Sequence, residues 1–215
     1  MTLPVSDLAM QVLRDFAAAK GWSSYNWLLE ARQNKQGIDD EALRPLAEAW
    51  QWLYSAGLVA TTPGQSSPHS CFVTRRGHRA IAEGPGALLA EERLSLEMHP
   101  ALERSVRRQY LLGEYELAVF AAMREVEIRV RTLGKFPNSL LGTKLMQEAF
   151  KTGGPLCDAQ ADPGEQVAMM ELFKGAIGVF KNPTSHRAVN YSDPVAAAET
   201  ILLADLLLRT LDDPQ

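Results

Sequence analysis

The chain has 215 residues, a formal net charge of −4, 46% hydrophobic residues and 22% charged residues. This length accommodates one large domain or two small ones. The negative charge argues against a protein that coats nucleic acid without sequence preference, although it leaves room for a local basic patch. The most apolar run, 201–208, is too short to cross a bilayer and includes Asp205. Cys71 and Cys157 lie far apart without ligand-type neighbours, so we expect reduced cysteines, a cytoplasmic protein and no metal site. We also expect no membrane contact and no cofactor.

Helical periodicity gives way to strand-like alternation within the first 83 residues, and a loop rich in Pro, Gly and Ser separates the two strand-like runs. A change of period with a turn-rich loop between two short apolar runs predicts a hairpin after a helical stretch. The elements predicted for this region are helices at 7–19, 24–34 and 39–55, strands at 57–61 and 70–74, and a short helix ending near residue 83.

Three helices followed by a hairpin is the element order of a winged helix-turn-helix domain. The segment Leu53…Gly57-Leu58-Val59…Phe72-Val73-Thr74-Arg75-Arg76-Gly77 resembles the wing region of that family. The resemblance to the whole domain covers about residues 6–83. The resemblance implies a domain at 1–83 that binds either DNA or another protein. Its third helix carries a net of three negative charges, which repel phosphate. The candidate nucleic-acid-binding residues are therefore on the wing side: Arg75, Arg76 and Arg79.

Gly84-Pro85-Gly86 is the predicted domain boundary, with a linker at 84–97 and a second domain at 98–215. Strand patterns disappear beyond it, and amphipathic helical patterns follow one another to the end of the chain. The predicted fold class is therefore mainly α, a winged helix followed by an all-α bundle. The helices predicted for the second part are 88–96, 100–111, 116–133, 140–150, one from about 165 to Lys181, and 194–211.

Polar side chains concentrate in the segment Lys181-Asn182-Pro183-Thr184-Ser185-His186-Arg187, between the last two predicted helices. A structural role accounts for Asn182 and Pro183, since a helix stops before proline and asparagine is a favoured cap. Histidine moves protons near neutral pH, and a lysine at a helix start stabilises charge on a phosphate. The segment therefore has the parts of a metal-free site for phosphodiester cleavage, and both interpretations stay open.

Lys181, Asn182, Pro183 and His186 are similar to the signature of the HEPN superfamily, in which Arg is followed after four to six residues by His, often with Asn directly after the Arg. The chain resembles the Ymh-type branch of that superfamily over about residues 98–212. The upstream residues that carry the likeness are His99-Pro100…Gly113-Glu114-Tyr115-Glu116-Leu117-Ala118…Arg124-Glu125-Val126-Glu127…Arg131.

The resemblance implies an all-α HEPN-like bundle that acts on RNA as a metal-independent endoribonuclease, with a toxin-like or antiphage defence role. Relatives dimerise so that two motifs face one cleft. By this resemblance His186 serves as general acid or base, Lys181 steadies the phosphate and Asn182 orients it. The apolar last helix, 195–211, independently predicts a homodimer, because it has more apolar positions than one buried face needs.

Lys181 stands where the family has arginine, and lysine lacks the planar fork that grips phosphate at two points. Arg187 and Ser185 are supporting candidates, and Arg187 is a candidate source of the guanidinium. Glu127 is a further candidate, as an acid near the site or as a residue of a solvated helix face. The alternative function is a non-catalytic, dimeric winged-helix DNA-binding regulator or an adaptor subunit of a defence complex. The candidate protein partners are an antitoxin and a defence-complex protein.

Overall fold

The computed structural model describes residues 3–34, 40–94, 98–181 and 191–212. These residues are mainly helical with one two-stranded sheet, so the predicted mainly-α class is confirmed. The chain divides into two compact units, Met1–Leu88 and Leu89–Gln215. The elements are α1 (Val5–Ala18), α2 (Ser24–Asn34), α3 (Asp40–Ser55), β1 (Val59–Thr61), β2 (Cys71–Val73), α4 (Arg75–Glu83), α5 (Pro85–Leu94), α6 (Pro100–Leu111), α7 (Tyr115–Leu133), α8 (Gly142–Phe150), α9 (Pro163–Ala176), a π-helical turn (Ile177–Lys181) and α10 (Pro194–Asp212).

The core of the first unit forms where α1 packs against α3. Spacings of three and four residues place the apolar side chains of α1 on one face, which is the pattern of a helix with one buried side. Phe16 of α1 meets Trp50 of α3 edge to face, with ring centroids 4.9 Å apart. The buried residues of these two helices are Ala9, Met10, Val12, Leu13, Phe16, Ala49, Trp50 and Leu53.

The hairpin of the first unit is antiparallel, with Val59 opposite Val73 and Thr61 opposite Cys71. The side-chain oxygen of Thr74 then accepts a hydrogen bond from the Gly77 amide and caps α4. A Cβ at Gly77 would lie 2.2 Å from the carbonyl oxygen of Leu58. Only glycine therefore lets α4 approach the start of the hairpin this closely.

Helix α7 is the centre of the second unit and packs against α6, α8, α10 and the π-helical turn. Most apolar residues of α10 are buried or partly buried in the core of this same unit, and Leu206 is 58% exposed. Packing within the unit thus accounts for most of the apolar residues of α10 that motivated the predicted homodimer. None of the helices in the described ranges is both long and apolar enough to span a bilayer.

Helix α9 leads the chain toward the predicted site. It begins with a capping box between Asp162 and Glu165, and Phe173 stacks on Phe150 of α8 with centroids 4.3 Å apart. The π-helical turn follows without a break and ends at Lys181. Because a π-turn carries more residues per turn than an α-helix, it changes the direction in which Lys181 leaves the helix axis.

Candidate functional site

Glu127 is a buried carboxylate at the centre of the second unit, with only 4% of its surface exposed. It lies on the buried stripe of α7, four residues after Met123 and three before Val130. Its Oε1 accepts from Nη2 of Arg131 at 2.6 Å. Its Oε2 accepts from Nζ of Lys181 at 2.9 Å and from the Gly142 amide at 3.2 Å. The solvated helix face considered for Glu127 is therefore wrong, although the pairing with Arg131 is present.

The ion pair between Glu127 and Lys181 joins residues 54 positions apart in the chain. The Lys181 side chain is 15% exposed and that of Glu127 is 5% exposed. Water therefore screens the pair weakly, and the pair fixes the end of the π-helical turn against α7. Lys181 is the first residue of the polar segment, so this pair anchors the start of that segment.

Arg131 extends the same network toward the loop between α7 and α8. Its guanidinium binds Glu127 and also donates to the Leu140 carbonyl, with nitrogen-to-oxygen distances of 3.3 and 3.4 Å. The Arg131 side chain is 13% exposed. Together with the bond from Gly142 to Glu127, these contacts hold the end of the loop and the start of α8 against α7.

Two opposing effects act on the pKa of Glu127. Burial of the carboxyl raises the pKa. The hydrogen bonds from Lys181 and Arg131, the charge of Lys181 and the Gly142 amide together lower the pKa by more than burial raises it, so the pKa lies below its usual value. Glu127 is therefore ionised at neutral pH, with both oxygens occupied by donors. A carboxylate in this state positions its neighbours and does not supply a proton.

A cavity of about 310 Å³ opens beside this network. Its lining includes three cationic side chains and a single carboxylate, so it is locally electropositive in a chain of net charge −4. Arg124 is exposed at this cavity, in contrast to the largely buried Arg131 and Lys181. The lining residues are Phe120, Arg124, Glu127, Ile128, Arg131, Asn138, Leu141 and Lys181.

One family of proteins, described as "Protein of unknown function (Hypoth_ymh)", matches residues 96–211, which is more than half of the chain. The chain belongs to this family. The Ymh part of the resemblance is thereby confirmed, and the match includes both Glu127 and Lys181. No curated protein and no solved structure matches the chain.

Four predicted site residues of the Ymh region lie outside the described residues: Asn182, Ser185, His186 and Arg187. The two that are described, Lys181 and Glu127, are in direct contact. Five residues that line the cavity were not predicted as site residues: Phe120, Arg124, Ile128, Asn138 and Leu141. A signal for Glu127 was present, because a carboxylate placed on an apolar helical stripe needs a buried partner.

The predicted nucleic-acid-binding residues of the wing precede the Ymh region. Their guanidinium groups differ in how available they are to bind phosphate. Arg75 is exposed, whereas Arg76 donates from Nη1 to the Ala56 carbonyl at 2.6 Å. Nε of Arg79 lies 3.0 and 3.2 Å from the two oxygens of Glu83. Two of the three guanidiniums are thus engaged by residues of their own unit, and their availability to phosphate is reduced.

A second ionic cluster of the second unit surrounds Asp212, next to another cavity of about 600 Å³. Nε2 of His99 lies 2.9 Å from one Asp212 oxygen, and Nη2 of Arg129 lies 2.5 Å from the other. The hydrogen bond from His99 lowers the pKa of Asp212, and Arg129 adds to this effect. His99 also caps α6 by accepting from the Ala101 amide.

Proposed function

We propose that this Ymh protein is a metal-independent endoribonuclease of the HEPN type, with a site built from Lys181 and the segment that follows it. The observation that carries the proposal is the buried pair of Glu127 and Lys181, which fixes the start of the Lys-Asn-Pro-x-x-His segment beside an electropositive cavity. A phosphodiester is the anion that such a cavity attracts, and histidine is the residue that moves protons near neutral pH.

The proposed reaction is cleavage by the neighbouring ribose hydroxyl. His186 removes the proton from the 2′-hydroxyl, whose oxygen attacks phosphorus while the bond to the 5′-oxygen breaks. The 5′-oxygen takes up a proton, and the products end in a 2′,3′-cyclic phosphate and a 5′-hydroxyl. Asn182 orients the phosphate, the cations of the cavity stabilise its developing charge, and Glu127 holds Lys181 in place.

The test is cleavage of labelled single-stranded RNA in excess chelator by the wild type and by His186→Ala. We expect the variant to lose roughly two to four orders of magnitude in rate, because a proton-transfer group is removed. His78→Ala, an exposed histidine of the first unit, is the matched control and retains full activity. Equal cleavage by wild type and His186→Ala contradicts the proposed site. The absence of cleavage in both favours the non-catalytic regulator or adaptor.

The proposed enzyme acts as a homodimer, and the surface that supports this lies on α9 and the π-helical turn. An exposed apolar stripe runs along them, with residues three or four positions apart, a spacing typical of helix-to-helix contacts. A Cβ at Gly175 would meet no atom within 4 Å, so a second helix has room to approach. The residues of the stripe are Ala168, Leu172, Gly175 and Val179.

Light scattering tests the dimer. Leu172→Glu introduces a charge into the stripe and is expected to yield a monomer, because an unpaired charge is costly to bury. Leu117→Glu is the matched control, since Leu117 is 48% exposed on α7 and Leu172 is 46% exposed on α9. A wild-type chain that is monomeric in dilute solution argues against the homodimer.

The winged-helix assignment of the first unit stays part of the proposal. It is supported by the order α1, α2, α3, β1, β2 and by the antiparallel hairpin. Because Arg76 and Arg79 are engaged by Ala56 and Glu83, we favour a protein partner over DNA for this unit. A salt-dependent DNA affinity that Arg75→Ala flattens is the outcome that reverses this preference.

A further inference from the structure

The outer part of the Glu127 cavity carries side chains that the ionic network does not use. Phe120, Arg124 and Ile128 are four residues apart along α7 and therefore share one face of that helix. Asn138 and Leu141, from the loop before α8, line the same cavity. This part of the cavity thus combines an aromatic ring, two aliphatic side chains, an amide and a guanidinium.

Each of these groups matches one part of a nucleotide. An aromatic ring offers a face on which an unstacked base lies, and aliphatic side chains cover the rest of the base. The Asn138 amide has both donors and an acceptor for a base edge. A guanidinium binds phosphate with two parallel hydrogen bonds. A cavity of about 310 Å³ is also within the size range of small-ligand sites.

The two arginines of the cavity differ in what they are free to bind. Arg131 is 13% exposed and donates to Glu127 and to the Leu140 carbonyl. Lys181 is held at 2.9 Å from Glu127, which engages its ammonium group. Arg124 is exposed and lines the same cavity. Among the described cations of the cavity, Arg124 is therefore the best placed to receive a phosphate.

We propose that the outer cavity is a nucleotide subsite, in which Phe120 stacks on one unpaired base of an RNA single strand and Arg124 binds a phosphate of that strand. The inference rests on the proposed ribonuclease function and adds its substrate-positioning residues. A base in a duplex is stacked on both faces and cannot enter, so the subsite selects single strands over double strands.

The experiment measures binding apart from cleavage. A fluorescent single-stranded oligonucleotide with 2′-O-methyl groups lacks the attacking hydroxyl, and its affinity for the full chain is followed by anisotropy. We expect Phe120→Leu to weaken binding roughly 5- to 150-fold, the range for loss of one base-stacking ring, and Phe120→Tyr to retain it. Arg124→Ala is expected to weaken binding and to reduce the salt slope by about 1.

Matched controls separate the subsite from general surface effects. Arg104→Ala removes an exposed arginine of α6 and Leu117→Ala an exposed apolar side chain of α7, neither of which lines the cavity. Both controls are expected to bind as the wild type does. Thermal melts of Phe120→Leu and Phe120→Tyr show whether a loss of binding reflects a loss of folding, and the tyrosine variant remains informative if the leucine variant unfolds.

The outcomes distinguish this inference from the proposed catalysis. If Phe120→Leu and Arg124→Ala bind as the wild type does, the subsite is wrong even when RNA cleavage is observed. If binding depends on both residues but no RNA is cut, the subsite stands and the ribonuclease proposal fails. A wild type that binds no single strand, or that binds duplex equally well through these residues, overturns the subsite.

Discussion

Two carboxylates of the second unit bind two basic side chains each, but they differ in burial. Glu127 pairs with Lys181 and Arg131, and its side chain is 5% exposed. Asp212 pairs with His99 and Arg129, and its side chain is 35% exposed. Solvent screens the pairs of Asp212, whereas those of Glu127 lie where loss of one partner leaves charge buried. Similar pairs in one unit therefore have different consequences for stability.

The largest expected effect comes from Glu127→Gln, which leaves two poorly exposed cations facing a neutral amide. We expect the free energy of unfolding to fall by about 3–5 kcal/mol, the usual cost of breaking a buried ion pair. Urea denaturation at neutral pH measures it, with Glu125→Gln on the same helix as the control. A loss below about 1 kcal/mol would place Glu127 in the same class as a surface pair.

The pH dependence of stability tests the contribution of the Glu127 carboxylate in a second way. The pKa of Glu127 is lowered in the folded protein, whereas the unfolded chain has the ordinary value of about 4.3. Its stabilising contribution is therefore fully present above that ordinary value and is lost as the pH falls through the folded pKa. The stability difference between wild type and Glu127→Gln is expected to shrink at acid pH. A difference that stays constant from neutral to acid pH contradicts this account.

Lys181 separates the structural and catalytic roles of the network. Lys181→Met removes one of the donors to Glu127 and is expected to cost about 1–3 kcal/mol, with reduced RNA cleavage. Lys181→Arg keeps the charge and restores the planar fork, so stability and cleavage are expected to be retained or raised. Urea denaturation and the RNA assay measure the two effects. Full stability and activity in Lys181→Met would show that the pair anchors nothing.

The smallest effect is expected for Asp212→Asn, at most about 1 kcal/mol of unfolding free energy. Its partially exposed pairs are screened by salt, so the loss should diminish at high ionic strength. The loss in Glu127→Gln should persist under the same conditions, because its pairs are buried. If the loss of unfolding free energy depends equally on salt in the two variants, the proposed difference between the two carboxylates is wrong.

Local sequence signals predicted two helices with the correct first and last residues. Helix α2 has the bounds predicted for it, and α6 begins at Pro100 and ends at Leu111 as expected. Proline fits the first turn of a helix, while the glycines and the change of period mark where helices end. The hairpin is present but shorter than predicted, with strands at Val59–Thr61 and Cys71–Val73.

The sequence was less informative about which side of a helix is buried. Leu117 is an apolar residue of α7 that is 48% exposed, while Glu127 on the same helix is buried. The spacing of apolar residues shows roughly which side of a helix is buried. A small rotation of the helix about its axis still moves residues at the edge of that side between core and solvent. Neighbouring elements decide that rotation, here through the donors of Lys181 and Gly142.

The residues themselves determined the mainly helical composition, most helix ends and the position of the polar segment that begins at Lys181, because those features depend on groups within a few positions of one another. Only the tertiary structure decided that Glu127 binds Lys181 across 54 residues, and that Arg124 and Phe120 line the cavity beside them. Such pairings depend on how α7, the loop after it and the π-helical turn come together in space. No local pattern in the sequence specifies which of these distant residues meet.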